Sequence, residues 1–241
     1  GEGFTAYSVG ADYHPGEWMW SNRLEYRTSD LSKHRGASAG VQGSPLDALA
    51  TQFTLRWQKD DLATGGLNLQ SDASLRAAWR PSYDQLILLN RFDVRRNEVS
   101  GSGADSSSLR YINNMTANWQ TTAEWQLKFN HGMKLSDETM AGNTWSGLTD
   151  LLGMQLIYDF NEDWDMMLQS GLLQVRHLAS MESNLGLAVG YNMFENFWLS
   201  MGYNFTGYSD KDFTAAEYTR KGVYMRFRFK YDQNSLEDML K

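Results

Sequence analysis

Hydrophobic and polar residues alternate one by one along much of the chain, most regularly in the segment 222–231. Successive side chains of a β-strand point to opposite faces, so this segment is predicted to be a strand with one apolar and one cationic face. Its apolar positions are Val223, Met225, Phe227, Phe229 and Tyr231, and between them lie Tyr224, Arg226, Arg228 and Lys230.

The same pattern returns about thirteen times, in segments close to the 9–11 residues with which a tilted strand crosses a membrane. We therefore predict an all-β chain that forms a transmembrane, antiparallel, up-and-down β-barrel of about 12–14 strands over residues 1–231, followed by a periplasmic tail over 232–241. The predicted strands are Gly3 to Tyr13, Glu17 to Arg27, His34 to Gly43, Leu49 to Gln58, Gln70 to Arg80, Leu86 to Arg96, Leu109 to Trp119, Trp125 to Leu135, Leu148 to Asp159, Trp164 to Val175, Asn184 to Met193, Phe197 to Gly207 and Gly222 to Tyr231.

The predicted connections alternate between short turns and longer polar loops. Outer-membrane barrels have short periplasmic turns and longer extracellular loops, so the pattern also predicts the orientation of the barrel. The short turns are centred on Pro15, Pro45, Pro81, Thr121, Asn161 and Glu195, and the longer loops on Ser29, Asp61, Gly103, Asp137, Met181 and Lys211.

Aromatic residues collect at the strand ends beside the short turns. Amphipathic rings prefer the level of the lipid headgroups, so they are predicted to form a periplasmic aromatic girdle. An aromatic-rich soluble β-sandwich is the alternative, but its core aromatics need not gather at one end of each strand. The predicted girdle consists of Tyr13, Trp18, Trp79, Trp119, Trp125, Tyr158, Trp164 and Tyr231, with Phe197 beside them.

Charged residues occupy the face opposite the apolar residues. An arginine or lysine at mid-depth on the lipid face of a barrel costs about 2–4 kcal/mol, so the charged faces are predicted to line the lumen. Arginines and carboxylates on neighbouring strands would then form hydrogen-bonded ladders inside the barrel. The predicted lumen-lining residues are Arg23, Glu25, Arg76, Arg91, Asp93, Lys128, Arg226 and Arg228.

Three features depart from this scheme. Asn90 and Asn113 fall on the predicted lipid face, where an unpaired amide is costly, so they are expected to pair with each other or to mark a bulge. The third strand, with Gly36 to Gly40 at its centre, has side chains too small to give a clear pattern. Thirteen is an odd number, whereas bacterial barrels have even counts, so an earlier strand before Gly1 is expected.

The composition of the chain argues against several kinds of partner and site. The net charge of -7 makes nucleic acid an improbable partner, because phosphate backbones need a basic surface. The chain has no cysteine and four scattered histidines, and it offers no metal-ligand spacing and no cofactor motif.

His131 near Ser136 and Asp137 is the one local grouping that resembles a hydrolytic active site, but the strand phase directs His131 outward. We predict that the chain is not an enzyme, binds no cofactor and no metal, and has no catalytic residues.

The last strand carries a motif. The run RKGVYMRF at 220–227 resembles the C-terminal β-signal of bacterial outer-membrane proteins, in which a glycine is followed by a hydrophobic and then an aromatic residue. This resemblance implies that Gly222, Met225, Phe227 and Phe229 are read by the barrel assembly machinery. Most such signals end the protein at the aromatic residue, whereas this chain continues to Lys241.

A second resemblance covers more of the chain. The runs GEGFTAYSVGADY at 1–13, INNMTANWQ at 112–120 and GYNFTGYSDKDFTAAEYTRKG at 202–222 are similar to the C-terminal barrel of very large proteobacterial surface proteins with repeat or adhesin-like regions. The resemblance implies an outer-membrane barrel that anchors, and displays or exports, a preceding region of the same polypeptide. It carries over no catalytic residues.

Two functions follow as hypotheses: the surface-protein anchor, and a passive porin-like channel for small solutes, suggested by the mixed charges of the predicted lumen. In both cases the location is the bacterial outer membrane. The expected partners are the lipid bilayer and, during biogenesis, the barrel assembly machinery, with lipopolysaccharide as a further candidate.

Overall fold

The computed structural model describes residues 3–81, 85–101, 105–194, 197–208, 210–213 and 221–229. Within these ranges the chain forms thirteen strands and one short 3₁₀ helix, Arg176–Leu178. The strands are β1 Phe4–Tyr13, β2 Met19–Ser29, β3 Ser32–Leu46, β4 Leu49–Leu62, β5 Leu67–Trp79, β6 Leu86–Ser100, β7 Ser106–Gln120, β8 Trp125–Met140, β9 Asn143–Asp159, β10 Trp164–Val175, β11 Ser180–Phe194, β12 Phe197–Thr206 and β13 Gly222–Phe229.

All thirteen strands belong to one sheet, and each pairs with its neighbours in chain order. Every pair whose register is described is antiparallel, from β1 against β2 to β12 against β13. Among the described residues, the sheet runs from a free edge on β1 to a free edge on β13. This is the up-and-down topology and the strand count that the sequence predicts.

Strands β2 to β9 and β11 are longer than the predicted ones at one end. We call the end of the sheet that carries the β12–β13 connection the loop end, and the opposite end the turn end. At the loop end, β8 and β9 continue to 16 and 17 residues. Four residues that we expected in longer loops therefore lie in strands: Ser29, Asp61, Asp137 and Met181.

The reason is that polar side chains do not prevent antiparallel pairing in water, where two strands of a hairpin still satisfy each other's backbone groups. Among the connections between the described strands, the one between Thr206 and Gly222 is long by comparison with the others. The third strand, whose small side chains give no clear alternating pattern, is continuous from Ser32 to Leu46, with a register shift after Gly43.

The register separates two faces. On one face, Arg23, Ser38, Arg56, Asp72 and Arg95 lie side by side across β2 to β6. Asp212 contacts Asn114 on this face further along the sheet, and a cavity there is lined from both β7 and β13, so this face is concave in that half. We call it the inner face and its reverse the outer face.

The outer face is apolar over most of its height. Its large hydrophobic side chains are exposed, as in Phe53, Leu55, Phe129, Leu152 and Met154. Because exposed hydrophobic side chains on so many strands are unstable in water, this face needs lipid. The described residues form no helix that is long and apolar enough to cross a bilayer.

The two asparagines of the outer face form the expected pair. Asn90 Nδ2 donates to Asn113 Oδ1 at 3.4 Å, and Asn113 Nδ2 donates to Asn90 Oδ1 at 3.2 Å. Asn113 Nδ2 also reaches the Arg91 carbonyl oxygen at 3.5 Å. Each amide thus satisfies the other within an apolar surface.

This reciprocal pair gives the first testable prediction. Asn90→Leu leaves the Asn113 amide with one long backbone contact, so it should lower the free energy of unfolding by about 1–3 kcal/mol. The double variant Asn90→Leu/Asn113→Leu should be as stable as the parent or more stable. Urea unfolding of the protein in phospholipid vesicles measures the free energy of unfolding of both variants. An equal loss of this free energy in the single and the double variant would contradict the pairing.

Candidate functional site

The inner face of β7 to β12 carries polar side chains, some of which bond to one another. Gln169 Nε2 donates to Asn204 Oδ1 at 2.6 Å, and Thr116 Oγ1 donates to Asn130 Oδ1 at 3.0 Å. Gln169, Asn204 and Asn130 are buried. Polar groups this far from water are stable only when hydrogen-bonded, so the interior is a packed polar layer in this half.

Part of the β12–β13 connection folds onto this layer. We call residues 208 and 210–213 the inward segment. Phe213 is 0% exposed and Tyr208 4%, and both rings pack with Leu151 and Leu173 of the inner face. The segment leaves the end of β12 and reaches side chains of β6, β7 and β8, so it crosses the inner face over about half the sheet.

Ion pairs hold the inward segment at its far end. Lys134 Nζ lies 2.7 Å from Asp210 Oδ2 and 3.1 Å from Asp212 Oδ2. Arg95 Nη1 approaches Asp212 Oδ1 at 3.5 Å, and Asn114 Nδ2 donates to the Asp212 carbonyl oxygen at 3.3 Å. The three strands β6, β7 and β8 therefore each contribute one side chain to the same contact.

Asp210 and Asp212 differ from most carboxylates in a polar connection, which are exposed to solvent. In the structure both are mostly buried and neutralised by Lys134 and Arg95, because the connection turns into the interior and away from solvent.

Two glycines make room for the rings of the inward segment. A β-carbon at position 132 would lie 2.6 Å from Phe213 Cδ1, and one at position 171 would lie 2.4 Å from the Tyr208 hydroxyl. Burial raises the pKa of Tyr208 to about 12, so its hydroxyl stays protonated at neutral pH. The segment and the inner face are thus fitted to each other sterically.

The inner face of β4 to β6 carries a second cluster, of arginines around Asp93. Arg91 Nη2 lies 2.8 Å from Asp93 Oδ2, and Arg95 Nη2 lies 3.3 Å from the same oxygen. Asp93 is 3% exposed. Arg56 and Arg76 line the same cavity, of about 290 Å³, so four arginines face two aspartates there, Asp93 and Asp72.

The structure places the predicted lumen-lining residues as follows. Arg23 pairs with Glu25 at 2.7 Å on β2, and Arg76 is the register partner of Arg91. Lys128 and Arg226 line one cavity of about 260 Å³ together with Asp165. The backbone of Arg228 pairs with Trp198, and its side chain lies outside the described part. Sequence reasoning missed the contacts of Arg95 and Lys134 with the inward segment, because they join residues that lie far apart in the chain.

The aromatic residues predicted as a girdle lie at the turn end. Trp125 and Tyr158 have ring centroids 4.5 Å apart, and Trp164 lies 4.6 Å from Tyr191, a contact that sequence reasoning missed. Tyr13, Trp79, Trp119 and Trp164 are exposed. Trp18 lies in the β1–β2 turn against Gly43, and Tyr231 lies outside the described residues. Their role at a membrane interface remains a prediction.

Three of the four residues of the assembly signal are described with their side chains. Gly222 begins β13 with φ at +136°, a conformation that residues with a β-carbon rarely adopt. Met225 and Phe227 follow on the outer face and are exposed. Phe229 belongs to β13, but its side chain is outside the described part.

The hydrolytic grouping is not assembled. His131 lies on the outer face as register partner of Met115 and Leu152, whereas Ser136, an odd number of residues away, points to the inner face. Asp137 accepts a hydrogen bond from Ser146 Oγ at 2.5 Å. In the described ranges no group of three or more histidine, aspartate or glutamate side chains is arranged to hold a metal ion.

No family model matches the chain, and no curated protein matches it. Solved structures do match. The siderophore receptor PirA from Pseudomonas aeruginosa is similar with a TM-score of 0.65 at 10% identity, over 84% of this chain and 39% of that one. The FrpB iron transporter from Neisseria meningitidis gives 0.67 at 10% identity, over 83% and 44%.

The alcaligin outer membrane receptor FauA from Bordetella pertussis gives a TM-score of 0.57 at 11% identity, over 84% of this chain and 41% of that one. The chain therefore spans about two fifths of the length of these structures. At identities this low, the similarity shows the fold alone. It confirms an outer-membrane β-barrel fold, which agrees with the predicted location in the bacterial outer membrane and its lipid bilayer.

The fit between Gly132 and Phe213 gives the second prediction. Gly132→Ala places a methyl group where the Phe213 ring lies, so the inward segment should detach from the inner face. Gly153→Ala is the matched control, because a β-carbon there meets Asn130 Cβ at an ordinary 3.5 Å. Hydrogen exchange of the peptide that covers 208–213 should be faster in Gly132→Ala alone. Equal exchange in both variants would contradict the packing.

Proposed function

We propose that the chain is an outer-membrane anchor for a surface region of the same polypeptide, which the barrel displays or exports. The observation that carries this proposal is the packing in one half of the inner face. The inward segment and the polar side chains beneath it cover part of the inner face from β6 to β12, where an open channel would need water. A packed interior suits a barrel that holds a polypeptide in the membrane.

The free edges of the sheet suggest that the barrel contains one more strand. In hydrocarbon each unsatisfied backbone group costs several kcal/mol, so neither β1 nor β13 can remain unpaired in a membrane. We propose that a strand which precedes β1 in the full polypeptide pairs with both edges. It would make the strand number even, as in bacterial single-chain barrels.

Disulfide trapping tests this closure in the full-length protein, since the described chain contains no cysteine of its own. Val9→Cys/Leu24→Cys joins register partners on β1 and β2 and should cross-link readily, which makes it the positive control. Pairs that combine Tyr7, Val9 or Ala11 with Val223, Met225 or Phe227 should not cross-link. Efficient bonds between β1 and β13 would contradict the additional strand.

A passive porin-like channel for small solutes is the second candidate. It is favoured by one observation: the β3 to β7 half of the inner face is not filled by the inward segment and holds a cavity of about 610 Å³ next to Arg76 and Arg91. Arginines along such a passage would select anions.

Planar-bilayer recording separates the two candidates. For an anchor we expect no stable open current from the parent protein, and brief openings at most when Lys134→Met releases Asp210 and Asp212. Stable currents in the parent, with anion selectivity that Arg76→Gln/Arg91→Gln abolishes, would overturn the anchor in favour of the channel. Gln is chosen because it keeps polarity and removes the charge.

Three predictions about partners and chemistry accompany this proposal. We propose that the barrel assembly machinery reads β13, where Gly222, Met225 and Phe227 stand at a free edge. Lipopolysaccharide is proposed as a lipid partner. The chain is proposed to have no enzymatic activity, consistent with the separation of His131 and Ser136 on opposite faces.

A further inference from the structure

A groove of about 680 Å³ crosses the outer face between β2 and β7. Ala37, Ala39 and Ala73 form its floor, and the larger side chains of Leu24, Trp57 and Leu109 stand around it. All six positions belong to the apolar face that the register separates from the charged one. A depression of this kind on a lipid-facing surface is filled by hydrocarbon chains.

Basic side chains lie on the same face at the loop end of the groove. We call Lys33, Arg35, Lys59 and Arg96 the basic belt. Arg35 and Lys59 are register partners, and Arg96 is the register partner of Ser71, which lines the groove. The side chain of Arg96 is 59% exposed and that of Arg35 50%.

Two carboxylates accompany the belt and leave it with an excess of positive charge. Asp61 lies 3.0 Å from Lys59 and 3.8 Å from Arg35, and Glu98 accepts from Arg96 Nε at 2.8 Å. Asp137, the register partner of Leu109, also lies on this face, so four cations face three anions, on a protein whose overall charge is -7. The local sign is opposite to that of the whole chain, which indicates an anionic ligand.

The belt lies at the height of a headgroup. Lys59 is ten residues along β4 from Leu49, the register partner of Trp79 at the turn end, and Arg96 is ten residues along β6 from Leu86, the partner of Trp119. Ten residues rise about 33 Å along a strand, or about 25 Å in height at a tilt of about 40°. That is the height of the apolar band of a barrel, so the belt falls at the second interface.

We propose that the groove and the basic belt form a binding site for a phosphorylated glycolipid of the outer leaflet, with the acyl chains in the groove and the phosphates on Arg35, Lys59 and Arg96. The proposal names a site on this chain for the lipid partner. It rests on the outer-membrane location with the loop end facing outward, and it does not depend on whether the barrel anchors or conducts.

Binding of purified hexa-acylated lipid A to the detergent-solubilised protein tests the site, with bound lipid measured by native mass spectrometry. Lys59→Gln/Arg96→Gln should weaken binding about 30-fold, as each cation near an anionic surface contributes about 1 kcal/mol. Arg110→Gln/Arg176→Gln is the matched control. Both of its arginines are also ion-paired near the loop end. Arg110 lies on the inner face and Arg176 beside β9, so neither side chain lines the groove, and the variant should bind as the parent does.

A second variant and two competitors separate the parts of the site. Ala39→Phe fills the groove without changing charge and should also reduce lipid A binding. Phosphatidylglycerol and inorganic phosphate should compete weakly. Equal binding by all variants, or full competition by inorganic phosphate, would overturn the proposal. Folding of each variant is checked by its heat-dependent gel mobility, so a failed site is distinguishable from a failed barrel.

Discussion

The structure depends on one constraint: inside a membrane, every backbone amide and carbonyl must find its partner within the protein. A continuous antiparallel ladder over thirteen strands meets this demand at every strand except at the outer edges of β1 and β13. Because a ladder fixes the phase of each strand, it also sorts the side chains into an apolar and a polar face. The two edges then become the places where the chain needs a further partner.

The two halves of the inner face differ in how their polar and charged side chains are arranged. From β7 to β12, Gln169 bonds to Asn204 and Thr116 to Asn130, and the inward segment adds two aromatic rings and two carboxylates. Lys134 forms ion pairs with both carboxylates, Asp210 and Asp212, and so holds the inward segment against the inner face. From β2 to β6 the face remains lined by arginines around Asp93 and Asp72. The filled half supports the anchor, and the open half is the reason that a channel stays a second candidate.

The sequence predicted the strands well, because a period of two is a local signal, and each of the thirteen predicted segments overlaps an observed strand. The pair formed by Asn90 and Asn113 was also predictable, since both residues violate the pattern of the same face. Contacts of the inward segment were not predictable. Phe213 meets Gly132, and Asp212 meets Arg95, across long stretches of chain, and nothing in a single sequence marks which connection folds inward. The extended hairpins at the loop end were missed because polar strands and polar loops have similar compositions.

Site-directed spin labelling along β4, in the protein reconstituted into lipid vesicles, tests the central claim most directly: one face meets lipid and the other encloses water. Single cysteines at Phe53, Thr54, Leu55 and Arg56 sample both faces. The account predicts that labels at 53 and 55 collide with oxygen dissolved in the lipid, and those at 54 and 56 with a water-soluble nickel chelate. Equal exposure of all four labels to the chelate would contradict it.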